Sequence, residues 1–183
     1  MPDQCSVRPE PHDPESYSPV SALTGLLAAR SNSVYPAVFR VGDGYPTEED
    51  FLVARQEDGK GYGVYARRTF LRGHRVCRIS GTIVHEVMQH TLQVSPDAHL
   101  YDPYFTGFLL HSCDPNVFLD MARFELWAMK DIQPGQALTM DYASTEDYLY
   151  KQFPCLCGAP TCRKWITGRR EPVRSPHDTD GHG

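Results

Sequence analysis

Four groups of residues in this chain have the types and spacing to do chemistry. The first is the polar hexapeptide His111-Ser112-Cys113-Asp114-Pro115-Asn116, set directly behind the apolar run Phe108-Leu109-Leu110. Buried polar groups need hydrogen-bond partners, so such a stretch calls for an organised environment or a ligand. Asp114-Pro115 favours a turn, Asn116 can bridge two main-chain segments, and His111 offers both a donor and an acceptor. The second is Asp141-Tyr142 at the end of an apolar segment. A phenol there can orient an amine and favour a developing positive charge without being a nucleophile.

The third group is Cys155, Cys157 and Cys162, three of the chain's six cysteines gathered close together. They supply three thiols for a metal; free thiols and a disulfide are the alternatives that spacing leaves open. The fourth is Gly61-Tyr62-Gly63, preceded by Lys60. Glycines let the backbone approach a ligand where a Cβ would crowd it, although a hairpin turn also uses them. No Gly-Lys-Ser/Thr follows, which argues against a phosphate loop.

Together and in this order, these pieces resemble the SET-domain methyltransferases, with the likeness running from about Phe51 to Gly168. The resemblance implies a mainly β fold of small curved sheets, β-clip-like, with a pseudoknot in which the hexapeptide threads beneath a later segment. It implies that Lys60, Gly61, Tyr62, Gly63, Leu110, His111 and Asn116 bind S-adenosylmethionine (SAM), and that Tyr142 is the catalytic tyrosine. The cysteine cluster looks like the post-SET motif, with Cys113 as the fourth ligand beside Cys155, Cys157 and Cys162 of a structural Zn²⁺. Leu110 stands where the family usually has an asparagine, and Met140 where it usually has Phe or Tyr. A leucine cannot replace an amide, and Met140 has no hydroxyl to hold a water.

The activity implied is SAM-dependent N-methylation, on a protein lysine side chain by resemblance. A free amino acid or small amine as substrate, or a non-catalytic SET binding module, are the alternatives. Tyr101, Tyr104, Phe105 and Tyr148 are expected to wall an aromatic channel for the amine.

The elements that must position these residues are short. Apolar and alternating runs predict strands over 34–41, 51–55, 63–66, 75–79, 82–84, 117–119, 124–129 and 137–140. Helices are expected only over 21–30 and 85–92, and 100–110 reads as strand and loop. The resulting division is a disordered or weakly helical segment 1–33, a SET domain 34–145, a post-SET segment 146–168 and a flexible tail 169–183.

The 183 residues suit one domain with tails, and the net charge of −5 gives no basic face for gripping nucleic acid directly. A partner with a cationic tail suits it better. No window approaches the roughly 20 apolar residues of a membrane span, and the first residues lack signal-peptide character. The chain is therefore expected in the cytoplasm, or in a nucleus where the cell has one.

Overall fold

The computed structural model describes residues 32–56 and 61–174. The expected helix over 21–30 and most of the expected disordered segment lie outside the described residues, as does Lys60. Twelve short strands carry the fold: β1 (Phe51–Arg55), β2 (Tyr62–Ala66), β3 (Arg75–Arg78), β4 (Thr82–Val84), β5 (Thr91–Ser95), β6 (Ala98–Tyr101), β7 (Leu110–His111), β8 (Val117–Asp120), β9 (Glu125–Ala128), β10 (Thr139–Met140), β11 (Phe153–Pro154) and β12 (Trp165–Ile166). The only helical pieces among the described residues are 3₁₀ turns, at Ala37–Phe39, Thr106–Phe108 and Tyr142–Ser144. None of these helices is long and apolar enough to cross a membrane.

The strands form small separate sheets: β1 with β2, β3-β9-β8, β4-β6-β5, β7 with β10, and β11 with β12. All pair antiparallel except β7 with β10, which run parallel. Where the sheets face each other, Phe51, Val64, Phe105, Leu109, Val117, Leu126, Ile132, Leu138 and Met140 form one buried core. Cys77 lies in it, on β3, where burial pushes its thiol pKa well up.

Two expected elements differ. The stretch 34–41 is not a strand: Pro36 precedes a 3₁₀ turn that closes at Arg40 in the left-handed region (φ 47°). The stretch 85–92 is not a helix. Its apolar spacing is overridden by pairing of Thr91 to Ser95 along β6, which has β4 on its other edge, and His90 turns the chain with φ 69°.

One buried carboxylate fixes the approach to the hexapeptide. Asp102 is fully buried and accepts hydrogen bonds from the main-chain N–H groups of Tyr104 (3.0 Å), Phe105 (3.0 Å) and Thr106 (2.8 Å), from the Thr106 hydroxyl (2.5 Å), and from the Tyr35 hydroxyl (2.8 Å). Tyr35 in turn accepts from the Ser80 N–H at 3.0 Å. The turn closes so tightly that a Cβ on Gly107 would stand 2.3 Å from the Asp102 carbonyl oxygen, so only glycine fits there.

Candidate active site

The hexapeptide and the tyrosine meet because β7 and β10 pair side by side and parallel. Leu110 pairs with Thr139 and His111 with Met140, and the Ser112 N–H donates to the Met140 carbonyl at 3.0 Å. Asn116 locks the pairing from the side. Its Nδ2 donates to the Ala137 carbonyl (2.8 Å), its Oδ1 accepts the Thr139 N–H (2.8 Å), and its own N–H donates to the Thr139 carbonyl (3.1 Å). Both ends of the Asn116 amide are therefore engaged on main chain.

Two cavities take part of their lining from this ribbon and the residues beside it. One, of about 350 Å³, is lined by Gln56, Leu110, His111, Ser112, Thr139 and the 154–157 segment. The other, a channel of about 240 Å³, is lined by Met88, Leu92, Leu109, Met140, Tyr142, Leu149 and Tyr150, with Glu146 among them. None of the residues expected to wall an amine channel lines either cavity. Phe105 is fully buried in the core, Tyr104 packs edge-on against Tyr35 and Phe39, Tyr101 pairs within the β4-β6-β5 sheet, and Tyr148 is exposed. For Tyr104 and Phe105 the physical reason is the Asp102 carboxylate, which draws the 104–106 backbone inward. Val87 and Met88 from the β4–β5 connection, with Leu149 and Tyr150, supply the apolar lining.

Tyr142 stands at the start of its 3₁₀ turn, which Asp141 caps by accepting the Ala143 N–H at 3.1 Å. Its hydroxyl donates to the Leu109 carbonyl at 2.8 Å. Its ring packs edge-to-face on His111 and Phe153, at 5.2 and 5.8 Å between centroids. Burial, and then the nearby Glu146 carboxyl, push the phenol pKa up to about 12.

His111 supports the tyrosine from behind rather than standing open. Its side chain is almost wholly buried; Nδ1 accepts the Tyr142 N–H at 3.4 Å and Nε2 lies 3.4 Å from the Cys113 sulfur. That pattern fixes the tautomer with the proton on Nε2. Burial lowers the imidazole pKa to about 4, against an opposing pull from Asp141, so the ring is neutral at pH 7.

The glycine turn enters from β2. Gly61 has φ +123°, a backbone that favours glycine, and a Cβ on Gly63 would come within 3.2 Å of the Leu110 side chain and the Tyr65 ring. Gly63 thus lies against Leu110, the residue that replaces the usual asparagine. Tyr62 is half exposed and tilts over Phe108 at 5.4 Å.

The four thiols of Cys113, Cys155, Cys157 and Cys162 converge, all within 4.8 Å of one another, with 3.9 Å between the Cys113 and Cys155 sulfurs. That set of soft donors, drawn from two segments 42 residues apart, fits a zinc-binding post-SET cap. The Arg163 N–H donates to the Cys113 sulfur at 3.3 Å and the Arg163 guanidinium pairs with Asp141, tying the cap to the tyrosine's own turn.

Sequence reasoning missed Gln56 and residues 154–157 as cavity lining, and Glu146 as a channel residue. Gln56 adjoins the glycine turn and Leu156 lies between two cysteines, so adjacency was the available signal. For Glu146 the signal was weaker, an acid inside a stretch read as a cap.

Comparison with known proteins agrees with this geometry. Residues 61–143 match the family model described as SET domain. A histone-lysine N-methyltransferase, H3 lysine-36 specific, from Debaryomyces hansenii is 26% identical over 140 residues, covering 63% of this chain and 19% of that protein. The crystal structure of KRYPTONITE in complex with mCHG DNA and SAH superposes with a TM-score of 0.53 at 30% identity, over 63% of this chain and 28% of that one. A second KRYPTONITE structure, in complex with mCHH DNA, H3(1-15) peptide and SAH, gives 0.51 at 29% identity over 63% and 29%. The chain therefore spans less than a third of the length of each of these proteins. The match takes in the glycine turn, the paired strands β7 and β10, Cys113 and Tyr142, and residues 61–143 of this chain are a SET domain.

Proposed function

We propose that this protein is a SAM-dependent N-methyltransferase acting on the lysine side chain of a protein or peptide. The observation that carries the reading is a pair of cavities that both take lining from the β7–β10 pair and its flanks, one from Leu110, His111 and Thr139, the other from Leu109, Met140 and Tyr142. Transfer between two bound molecules needs alignment more than chemistry from the protein, and two cavities that share this wall support it. The similar KRYPTONITE chains hold SAH, the product left when SAM gives up its methyl, and one holds an H3 peptide. The mildly acidic chain suits a basic peptide.

SAM, when bound, supplies an electrophilic methyl group on a sulfonium. The 350 Å³ cavity is where this chain would hold it: Leu110 and Thr139 form one wall, and the 154–157 segment of the cap forms the other. Gly61, Tyr62 and Gly63 reach that wall through the contact of Gly63 with Leu110, and Lys60 precedes them in sequence. The four thiols fit a structural Zn²⁺ that fastens the cap; with four sulfur ligands no position remains for water, so its part is to hold that wall.

The apolar part of the channel wall, from Met88, Leu92, Leu109, Met140 and Leu149, favours the free amine that can attack once the ammonium has lost its proton. Because the Tyr142 proton is engaged on the Leu109 carbonyl, the phenol oxygen turns its lone pairs toward a positive centre beside the ribbon. A phenol pKa near 12 keeps Tyr142 protonated at neutral pH, so it orients and stabilises rather than abstracting a proton.

The test is mass spectrometry of a protein and peptide pool incubated with SAM and either wild type or Tyr142→Phe. Wild type should add the mass of a methyl group to lysine residues, and the variant should lose that product with its zinc content unchanged. Full activity in the variant would remove Tyr142 from this role.

A further inference from the structure

Tyr142 leaves a question that the channel itself answers: what receives the amine's proton. At a reference pKa near 10.4, only roughly one lysine in a few thousand is uncharged at pH 7. The channel wall holds one carboxyl, Glu146. Its N–H donates to the Tyr142 carbonyl at 2.9 Å, the turn that brings it back beside the tyrosine, and the residue is 5% exposed. Its Oε1 accepts the Gln93 N–H at 3.0 Å, which anchors it to β5.

The neighbouring acid is arranged differently. Asp147 pairs with Arg169 at 3.0 Å and accepts from the Gln93 amide at 2.9 Å, and those contacts hold its pKa below the usual range. Glu146 makes no ion pair with a basic side chain among the described residues. A buried carboxyl facing a cavity with no basic side chain at ion-pair distance among the described residues is a costly arrangement, even with Arg169 acting on it from further off, and a cation entering the cavity relieves it.

We propose that Glu146 is the counter-charge that receives the substrate's ammonium in this channel and accepts its proton, an inference that rests on the lysine reading above. The ammonium R–NH₃⁺ passes one proton to the carboxylate, giving R–NH₂ and a neutral carboxyl. Two opposite charges vanish together inside an apolar channel, and the nitrogen lone pair becomes free. The proton then leaves Glu146 for solvent through the channel mouth. Burial already pushes this carboxyl up to about 7, so taking a proton is far less uphill than for a carboxylate in water. The other titratable and charged groups facing it are Tyr142 from its own turn, His90 from the β4–β5 connection, Lys151 ahead of β11, and Asp147 with Arg169 behind it.

Glu146→Gln keeps the shape and the acceptor for Gln93, and removes both the charge and the proton acceptor. The first arm needs no methyl transfer: NMR titration of the full, zinc-loaded chain at pH 8 with n-butylammonium and with neutral n-pentanol. Wild type should bind the cation at least about tenfold more tightly than Glu146→Gln, with equal n-pentanol affinity in both, and Glu146→Asp should keep the cation preference. Equal n-butylammonium affinity in wild type and Glu146→Gln overturns the counter-charge. Should Glu146→Gln fail to fold, loss of the cation preference in Glu146→Asp overturns it instead.

The second arm is the pH profile of kcat/KM on a lysine peptide. Wild type should level off above about pH 7, where the carboxylate is ionised, whereas Glu146→Gln should be roughly 100-fold slower at pH 7 and rise with unit slope toward the amine's own pKa. Superimposable profiles overturn the proton-acceptor role. A wild type that prefers the cation yet methylates no lysine would sink the lysine reading alone and support the counter-charge.

Discussion

Asp102→Asn is the sharpest probe of how the fold holds the site. The carboxylate serves five donors, two on Oδ1 and three on Oδ2. An amide keeps one oxygen and turns NH₂ toward the donors at the other. If NH₂ replaces Oδ1, two main-chain N–H groups, those of Tyr104 and Phe105, lose their acceptor; if it replaces Oδ2, the Thr106 N–H does. The Tyr35 and Thr106 hydroxyls can rotate, but a main-chain N–H cannot. An orphaned buried donor costs about 1–3 kcal/mol, and loss of charge-assisted bonds at a fully buried position adds about as much, so the change should cost about 3–5 kcal/mol. For a domain of this size that lowers Tm by roughly 10–20 °C in a thermal melt followed by circular dichroism.

The same substitution should reach the channel, because the 104–106 backbone it holds runs directly into Thr106, Gly107 and Leu109 of the wall. Affinity for n-butylammonium should therefore fall along with Tm, while zinc content, set by residues of the other cavity, should not. A variant that melts within 2 °C of wild type would refute the claim that this carboxylate organises the segment, whatever its effect on activity.

Three further outcomes are expected. Chelation of zinc should make the 153–166 segment sensitive to trypsin at Lys164 and weaken SAM binding about tenfold or more, because the cap's two strands of two residues have no core of their own. Leu110→Asn should tighten SAM binding about fivefold in isothermal titration, through one new hydrogen bond of about 1 kcal/mol; an unchanged affinity would show that the missing amide is immaterial here. Glu146 has a folded-state pKa raised by burial from 4.5 to about 7, so the folded state is favoured fully below about pH 4.5 and loses that advantage as pH rises to 7; Glu146→Gln should gain about 2–3 kcal/mol over wild type at pH 8 relative to pH 4, read from urea unfolding at both pH values.

The residues that form the candidate site were legible because their signals are local. The hexapeptide, Asp141-Tyr142 and Cys155 to Cys162 each announce themselves within a few residues, and family order supplied the long-range links, including that of Cys113 to the other sulfurs. The strands β1, β2, β3, β8 and β9 were legible too, from alternation and turn residues. The channel wall was not. Met88, Leu92, Leu149 and Tyr150 come from connections with no shared period, and nothing local distinguishes them from other apolar residues. The aromatics near 104 looked better suited, until a single buried carboxylate took their backbone into the core. The helix expected over 85–92 failed for a related reason, since its spacing fits either element and only the partner β6 decides.

The two-residue ribbon of β7 and β10 separates the linings of the two cavities. Leu110, His111 and Thr139 line one cavity, while Leu109 and Met140 line the other. A longer ribbon would separate the cavities by more side chains, and no ribbon would let them merge. What keeps so short a pairing intact is bonding from outside it: the Asn116 amide on Ala137 and Thr139, the Ser112 N–H on Met140, and the Tyr142 hydroxyl on Leu109. Tyr142 is thus both the group beside the ribbon and one of the bonds that maintain it. The two departures from the family's usual residues, Leu110 and Met140, line one cavity each, so under the proposed reading substitutions at the two positions should separate donor affinity from amine selection.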